Sequence, residues 1–277
     1  MKNDNLIVDE HQKRRYEIHK RSFENPKCEY EPFIRTMDFT RSAGNRSKTP
    51  HLENKDRLVH TLSANELWAY LNIIHSQNVV DVYEQWALPV EYTIEICSEL
   101  EINHPRAKRS SKLGYESFDF LVKLDPSSDH KDLKFGTWQA VAVKSTKALL
   151  TDRVQEKLKI QEAFAMLNDI EFIVLDSDQL RTVYSETLEG LYVHRRLQPF
   201  TESVYPEWLS TIRGELLFHS NMRMGELLKN VAFSVGIQPE LSLHFFKHAL
   251  WVRDLTMNWN ERLRLERTAL KLEVKSL

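Results

Sequence analysis

Tyr115-Glu-Ser-Phe-Asp119-Phe-Leu-Val-Lys-Leu124 and Phe135-Gly-Thr-Trp-Gln-Ala-Val-Ala-Val143-Lys144 are the two stretches that decide the fold. The first alternates as a strand does, with Phe118, Phe120 and Val122 on one face and Ser117, Asp119 and Leu121 on the other. A polar loop, Asp125 to Lys134, leads into the second. There Trp138, Ala140, Ala142 and Lys144 share a face. Upstream, Ser63-Ala-Asn-Glu66 is a capping-box pattern, and Leu67, Tyr70, Leu71 and Ile74 follow at helical spacing. Val79 to Tyr83 reads as a short strand, followed by Trp86–Pro89. Downstream, a helix is expected from about Thr151 to Leu167 and a buried strand over Phe172–Leu175. Helix, strand, hairpin, strand, helix, strand is an α/β order of the α+β kind, built on a mixed sheet with flanking helices.

The segments on either side are less regular. Residues 1–57 are polar, with Pro26, Pro32, Gly44 and Pro50 as breaks. The basic run His11 to Arg21 reads equally as a solvated face or as a contact to DNA phosphate, and Ser42 to Lys55 reads as a loop. Beyond Asp176 the pattern turns helical. Trp208–Phe218 and Met224–Val235 look amphipathic, and Gly236 can end the second by going left-handed. Pro239 suits the first turn of a helix to about Leu255. Thr256–Trp259 suits a short strand. The expected division is therefore a catalytic-type α/β domain over 1–176 and a helical, winged-helix-like domain over 177–277.

The chain has 277 residues, 42% hydrophobic and 28% charged, as a globular protein of one large or two medium domains would. Its net charge of -2 gives no global basic field, so any nucleic-acid contact must come from local patches. Two cysteines, Cys28 and Cys97, argue against a disulfide scaffold and fit a reducing compartment. The N-terminal residues lack the apolar core of a signal peptide, and no stretch has the length of a membrane span. The expectation is a cytoplasmic protein with no membrane partner.

Chemistry concentrates in Glu66, Asp119 and Lys144. Two carboxylates and an ammonium, delivered from helix, strand and strand, are what metal-dependent cutting of a phosphodiester needs. The carboxylates would hold a divalent cation, and the lysine would orient the attacking water or meet the developing charge. On spacing alone, Asp119 and Lys144 more often describe a strand acid and a strand-end lysine in solvent. Glu66 alone could be only the acidic member of its capping box. A carboxylate on the stripe shared with Ala69, Tyr70 and Ile73, however, needs a partner or a metal.

Taken together, Arg57-Leu-Val-His60-Thr-Leu-Ser63-Ala-Asn-Glu66-Leu, Ser117-Phe-Asp119-Phe-Leu-Val122 and Val141-Ala-Val-Lys144 resemble the TnsA endonuclease subunits of heteromeric transposases. These belong to the PD-(D/E)xK, restriction-endonuclease-like superfamily. Weaker similarity runs through Tyr30-Glu-Pro32-Phe and Arg41-Ser-Ala-Gly44. The resemblance implies a magnesium-dependent nuclease, with manganese as a substitute, that cuts DNA at the 5′ ends of a transposon. It implies as partners a DDE-type transposase, TnsB, for the 3′ ends and an AAA+ ATPase regulator, TnsC. Glu66, Asp119 and Lys144 match the family's catalytic acid, acid and lysine. The family also uses the backbone carbonyl just before the lysine, here Val143. Its glutamine two positions before the lysine is Ala142 here, which ligates nothing. Gln139 lies on the opposite face by alternation. The departure keeps open a nuclease-fold assembly subunit that bridges transposase, ATPase and DNA without efficient cleavage. A stand-alone restriction-like nuclease is a further alternative, disfavoured by the near-neutral charge.

His60 and the cluster Arg106, Lys108, Arg109 and Lys112 are candidate contacts to DNA phosphate. A structural hydrogen bond at the helix entrance is the stronger reading of His60, and a solvated loop an equal reading of the cluster. His244 and His248 have metal-ligand spacing on a helix, but no third ligand accompanies them. Phe245, Ala249 and Val252, with Trp251 nearby, read as core. Seven glycines in all, none in a phosphate-loop pattern, leave any ATP dependence to a partner. No serine or cysteine nucleophile is supported by spacing.

Overall fold

A computed structural model describes residues 7–38, 46–51, 56–76, 78–107, 110–126 and 137–276. The chain forms two compact units, Met1–Leu180 and Arg181–Leu277.

The first unit is built on four strands: β3 (Val79–Ala87), β4 (Ser117–Leu124), β5 (Trp138–Lys144) and β6 (Glu171–Asp176), side by side in that order. β3, β4 and β5 are antiparallel neighbours, and β6 joins β5 in parallel. The mixed sheet expected from the alternation is present. A separate hairpin pairs β1 (Ser47–Pro50) with β2 (Leu58–Thr61). Ser47–Pro50 is thus a strand where the sequence pattern suggests a loop. Polar, proline-ended residues carry no strand pattern of their own, and pairing with β2 supplies it. Likewise β3 runs on through Trp86 and Ala87, because β4 offers partners as far as Ser117.

Helices cover the sheet: α1 (Glu10–Glu24), α2 (Ala64–Ile74), α3 (Val90–Glu99), the single turn α4 (Thr146–Leu149) and α5 (Asp152–Leu167). The basic run His11 to Arg21 lies within α1. Asp9 caps it by accepting from the Gln12 N–H, and Tyr16, His19 and Ser22 line its buried side. α3 is an element the sequence reading did not place. It packs on α5, and the two contribute Ile96, Cys97, Ile160, Phe164 and Ala165 to one apolar cluster with Phe118, Leu121 and Ala140. α2 packs on β3 and β5 from its own side, where Tyr70 stacks on Phe120. Strict alternation along β4 therefore fails. Phe118 and Leu121 share the α5-side core while Phe120 meets α2, so the face changes at Asp119. β6 is an edge strand; only half-buried, with Val174 exposed, it is not the buried strand the apolar run suggested.

The second unit contains α6 (Val183–Tyr192), α7 (Tyr205–Phe218), α8 (Met224–Val235) and α9 (Pro239–Trp251), then β7 (Leu255–Thr256) paired antiparallel with β8 (Lys275–Ser276). Gly236 ends α8 with φ of 73°, the left-handed turn its position predicts. Trp208 Nε1 donates to Ser242 Oγ at 2.8 Å, which donates to the Leu228 carbonyl at 2.9 Å, so one buried hydroxyl ties α7, α9 and α8. Phe245, Ala249 and Trp251 are core as expected, but Val252 is exposed.

Candidate active site

Asp119 and Lys144 meet where the central strands part. The β4–β5 ladder ends at Phe120↔Val141. Beyond it, β4 stays with β3 to Ser117, and β5 stays with β6 to the pair Lys144↔Asp176. A gap opens between them, and Asp119 fills it. Its Oδ2 accepts the Val143 N–H at 2.6 Å, replacing the lost ladder bond, and the Lys144 ammonium at 2.7 Å. Lys144 Nζ also donates to the Val143 carbonyl at 3.1 Å. Burial works against the ammonium, but Asp119 beside it outweighs that, so the Lys144 pKa is raised and the lysine stays charged. Asp119 Oδ1 takes no hydrogen bond among the described residues.

Glu66 arrives from the first turn of α2. Ser63 caps the helix by accepting from the Glu66 N–H at 3.2 Å. The return bond goes elsewhere than in a standard capping box: Glu66 Oε2 accepts the Leu62 N–H at 2.9 Å, and Oε1 accepts the Ser63 hydroxyl at 3.1 Å. Capping is thus a real part of its role and not the whole of it. Burial first, and then the Asp119 charge, push the Glu66 carboxyl up to about 7. Two acids close enough to feel each other share the site with one lysine.

That donor set fits a hard divalent cation. Two carboxylates and the Val143 carbonyl are oxygen ligands of the kind magnesium takes, with waters or substrate oxygens completing its shell. Burial and the Asp119 charge, which together raise the Glu66 pKa, are what such an ion would offset. No cluster of three or more His, Cys, Asp or Glu side chains suited to a metal occurs among the described residues.

Several of the other residues singled out by sequence have partners of their own. His60 sits on β2, where its Nδ1 accepts the Thr36 N–H at 3.2 Å and its own N–H donates to Glu84 Oε1 at 3.1 Å. Burial lowers its pKa, so it is a neutral structural ring rather than a cation. Arg106 donates from Nη1 to the Ser111 carbonyl and helps close a tight loop with Lys112, whose carbonyl accepts the Ala107 N–H at 3.0 Å. Gly114 is required there, since a Cβ would stand 2.9 Å from the Ala107 nitrogen. Arg106 and Lys112 are exposed, and Lys108 and Arg109 lie outside the described residues, as does Arg41–Gly44. Gln139 donates to Glu171 at 2.8 Å and is spent there. His244 Nδ1 faces His194 Nδ1 at 2.7 Å, while His248 Nδ1 pairs with the His194 carbonyl at 3.0 Å.

One participant was not read from the sequence. Gln85 Nε2 donates to Glu66 Oε2 at 3.3 Å. Nothing in Tyr-Glu-Gln-Trp marks it, since its place depends on a backbone angle that residue type does not encode.

The arrangement has counterparts. Residues 76–177 match the family of TnsA-like endonuclease N-terminal domains, a span that includes Asp119, Val143 and Lys144 but not Glu66. The chain is also 29% identical to the transposon Tn7 transposition protein TnsA of Escherichia coli over 231 residues, 83% of this chain and 77% of that protein. The carboxylate–lysine fork lies inside the span that matches TnsA-like endonucleases, and over most of its length the chain is similar to a TnsA transposition protein.

Proposed function

We propose that this chain is the magnesium-dependent DNA endonuclease subunit of a cut-and-paste transposase, hydrolysing phosphodiester bonds at the 5′ ends of the transposon. The observation that carries the reading is the Asp119–Lys144 contact at the strand fork, with Glu66 delivered to it by α2. Glu66, Asp119 and the Val143 carbonyl would hold the ion. Magnesium, when bound, supplies Lewis-acid activation of the phosphate and of a water. Lys144, kept protonated by Asp119, is a fixed positive charge for the phosphate oxygens rather than a base. Asp119 Oδ2 orients the lysine, and Oδ1 would be left to help hold the ion.

The similarity to a Tn7 transposition protein supports transposon-end DNA as substrate. It also supports partners of the TnsB transposase and TnsC ATPase kinds. Arg106 and Lys112, exposed on the loop that precedes β4, are the described members of the basic cluster that would meet flanking phosphates. The succession of α8, α9 and the β7–β8 pair supports a winged-helix-like role for the second unit in partner or DNA contact. No helix among the described residues is long and apolar enough to cross a membrane. A cytoplasmic location accords with the two unpaired cysteines.

Ala142 favours one second reading, an assembly subunit whose cleavage has decayed. The test is cleavage of labelled transposon-end DNA by this chain with its transposase and ATPase partners in magnesium or manganese. Cuts on the 5′ strand that vanish in Asp119→Ala and Lys144→Ala while the complex still assembles support the nuclease. Processing of the 3′ ends with no 5′-strand cut by the wild type supports the assembly subunit.

A further inference from the structure

Five non-glycine residues have positive φ among the described residues: Gln85, Glu101, Asp169, Arg253 and Glu273. Glu101, Asp169 and Arg253 lie just past the ends of α3, α5 and α9, where a left-handed residue is an ordinary helix stop. Glu273 lies in the turns ahead of β8. Gln85 alone lies inside a strand, at φ 51°, where the left-handed region costs a residue with a Cβ about 1–2 kcal/mol.

That strain has a visible effect. Glu84 pairs with Phe120 and Trp86 with Phe118, so Gln85 stands level with Asp119. Tyr83 and Trp86 both pack against the α5-side core although they are three residues apart. Glu84 and Gln85 in turn are both buried, and their polar groups meet β2 and α2. The backbone turn at Gln85 is what brings its side chain to the Glu66 side of the sheet. Regular alternation would send it into the apolar core. Its conformation is locked at both ends: the Gln85 carbonyl accepts the Phe33 N–H at 3.2 Å, and the amide donates to Glu66. Meanwhile Ala142, fully buried on β5, brings no polar atom to the site.

We propose that Gln85 is a positioning residue of the cation site, its left-handed backbone aiming a neutral amide that holds the Glu66 carboxylate beside Asp119. The inference rests on the nuclease reading above. A neutral donor suits the place, since a third acid would add to a negative charge that Glu66 and Asp119 already share. It steadies a ligand from outside the ion's own shell, as hydrogen-bond partners of metal ligands do.

The test is manganese binding to the full chain, read from the spectrum of free Mn2+, for wild type, Asp119→Ala, Gln85→Gly and Gln85→Asn. Glycine relieves the left-handed strain and removes the amide. Asparagine tolerates the same backbone but is one methylene too short to reach Glu66. Both variants are expected to remain folded and to bind Mn2+ roughly 10-fold more weakly, a loss of affinity that a merely structural glutamine would not give in a folded protein. If Asp119→Ala loses Mn2+ while both Gln85 variants bind as wild type, the role of Gln85 is overturned and the nuclease reading stands. If Asp119→Ala binds as wild type, the cation site itself is misplaced and both fall. A loss in Gln85→Gly that Gln85→Asn does not share also overturns the role of the amide.

Discussion

Lys144 Nζ lies 2.7 Å from Asp119 Oδ2 at the point where β4 and β5 separate. The same ammonium leans on the Val143 carbonyl. It therefore occupies oxygens that a cation would also seek. Catalysis and metal affinity should respond to it in opposite directions. Lys144→Ala is expected to lower DNA cleavage by about 10²–10³-fold, the usual effect of removing one charge-stabilising donor. Mn2+ binding should be kept or tightened, because Asp119 is left without its partner. Titration of Mn2+ alongside cleavage rates checks both; a variant that loses Mn2+ affinity would assign Lys144 to holding the site together instead.

Glu66 gives a pH prediction of the less common sign. Its carboxyl is raised from 4.5 to about 7 by burial and by Asp119. Between those values the folded protein holds a proton that the unfolded chain has released. Stability from this group therefore falls as pH rises from 4.5 to about 7, and the penalty is complete above that. Glu66→Gln is neutral throughout and keeps an oxygen for the Leu62 N–H. Without metal it should melt about 2–4 °C above wild type at pH 8 and match it near pH 5. Added Mn2+ should raise the wild-type melting temperature at pH 8 and leave Glu66→Gln unmoved. Equal melting of the two proteins at pH 8 would count against strain at Glu66.

How much of this was legible in the chain depends on where the signal resides. The two central strands announce themselves because Phe, Val and Ala recur along them, but Asp119 and Lys144 are singled out on those strands by the family resemblance, since spacing alone leaves them ordinary strand residues. Ser63 marks the start of α2 by its capping chemistry, so Glu66 was legible too. Yet the alternation around Asp119 misleads, since Leu121 turns out on the side of Phe118. α1 hid because His19 and Ser22, polar residues, sit on its buried side, where they bond to backbone: His19 Nδ1 to the Glu31 carbonyl, Ser22 to the His19 carbonyl. β1 hid because its pairing is with a strand several residues on. Gln85 had no signal at all, as glycine would have flagged a left-handed residue and glutamine does not.

His19 gives a pH prediction of the opposite sign in the first unit. Its Nδ1–H donates to the Glu31 carbonyl at 3.0 Å and its Nε2 accepts the Ala87 N–H at 3.2 Å. The neutral ring satisfies both, and a second ring proton would face a donor. Burial accordingly lowers its pKa from 6.5 to about 4. Here the unfolded chain takes up a proton that the folded one refuses, so stability is lost as pH falls from 6.5 to 4. The loss is on the order of 3 kcal/mol. Urea titrations across that range should show it. In His19→Gln the curve should be flatter, from a lower starting stability at pH 7; an unchanged acid slope would place the titrating group elsewhere.

Arg57 and Glu84 lie one step from the site, as Glu84 precedes Gln85. Arg57 Nη2 is 2.6 Å from Glu84 Oε2, with both side chains almost fully buried. Arg57 also donates to the Val82 carbonyl at 2.8 Å and lies over the rings of Tyr30 and Tyr83, at 4.6 and 5.4 Å from their centroids. Burial raises the Glu84 pKa even with the guanidinium beside it, so the ionised acid depends on its partner. Arg57→Met should therefore cost about 3–5 kcal/mol by stranding that carboxylate. Glu84→Gln keeps an oxygen for the His60 N–H but removes the nearer counter-charge of Arg57, leaving Asp81 at 3.5 Å. The double variant Arg57→Met/Glu84→Gln strands neither charge, so its loss should be clearly less than the sum of the single losses. Denaturation of the four proteins measures the coupling. Additive losses would mean that Arg57 acts through its packing on Tyr30 and Tyr83 and not through its charge.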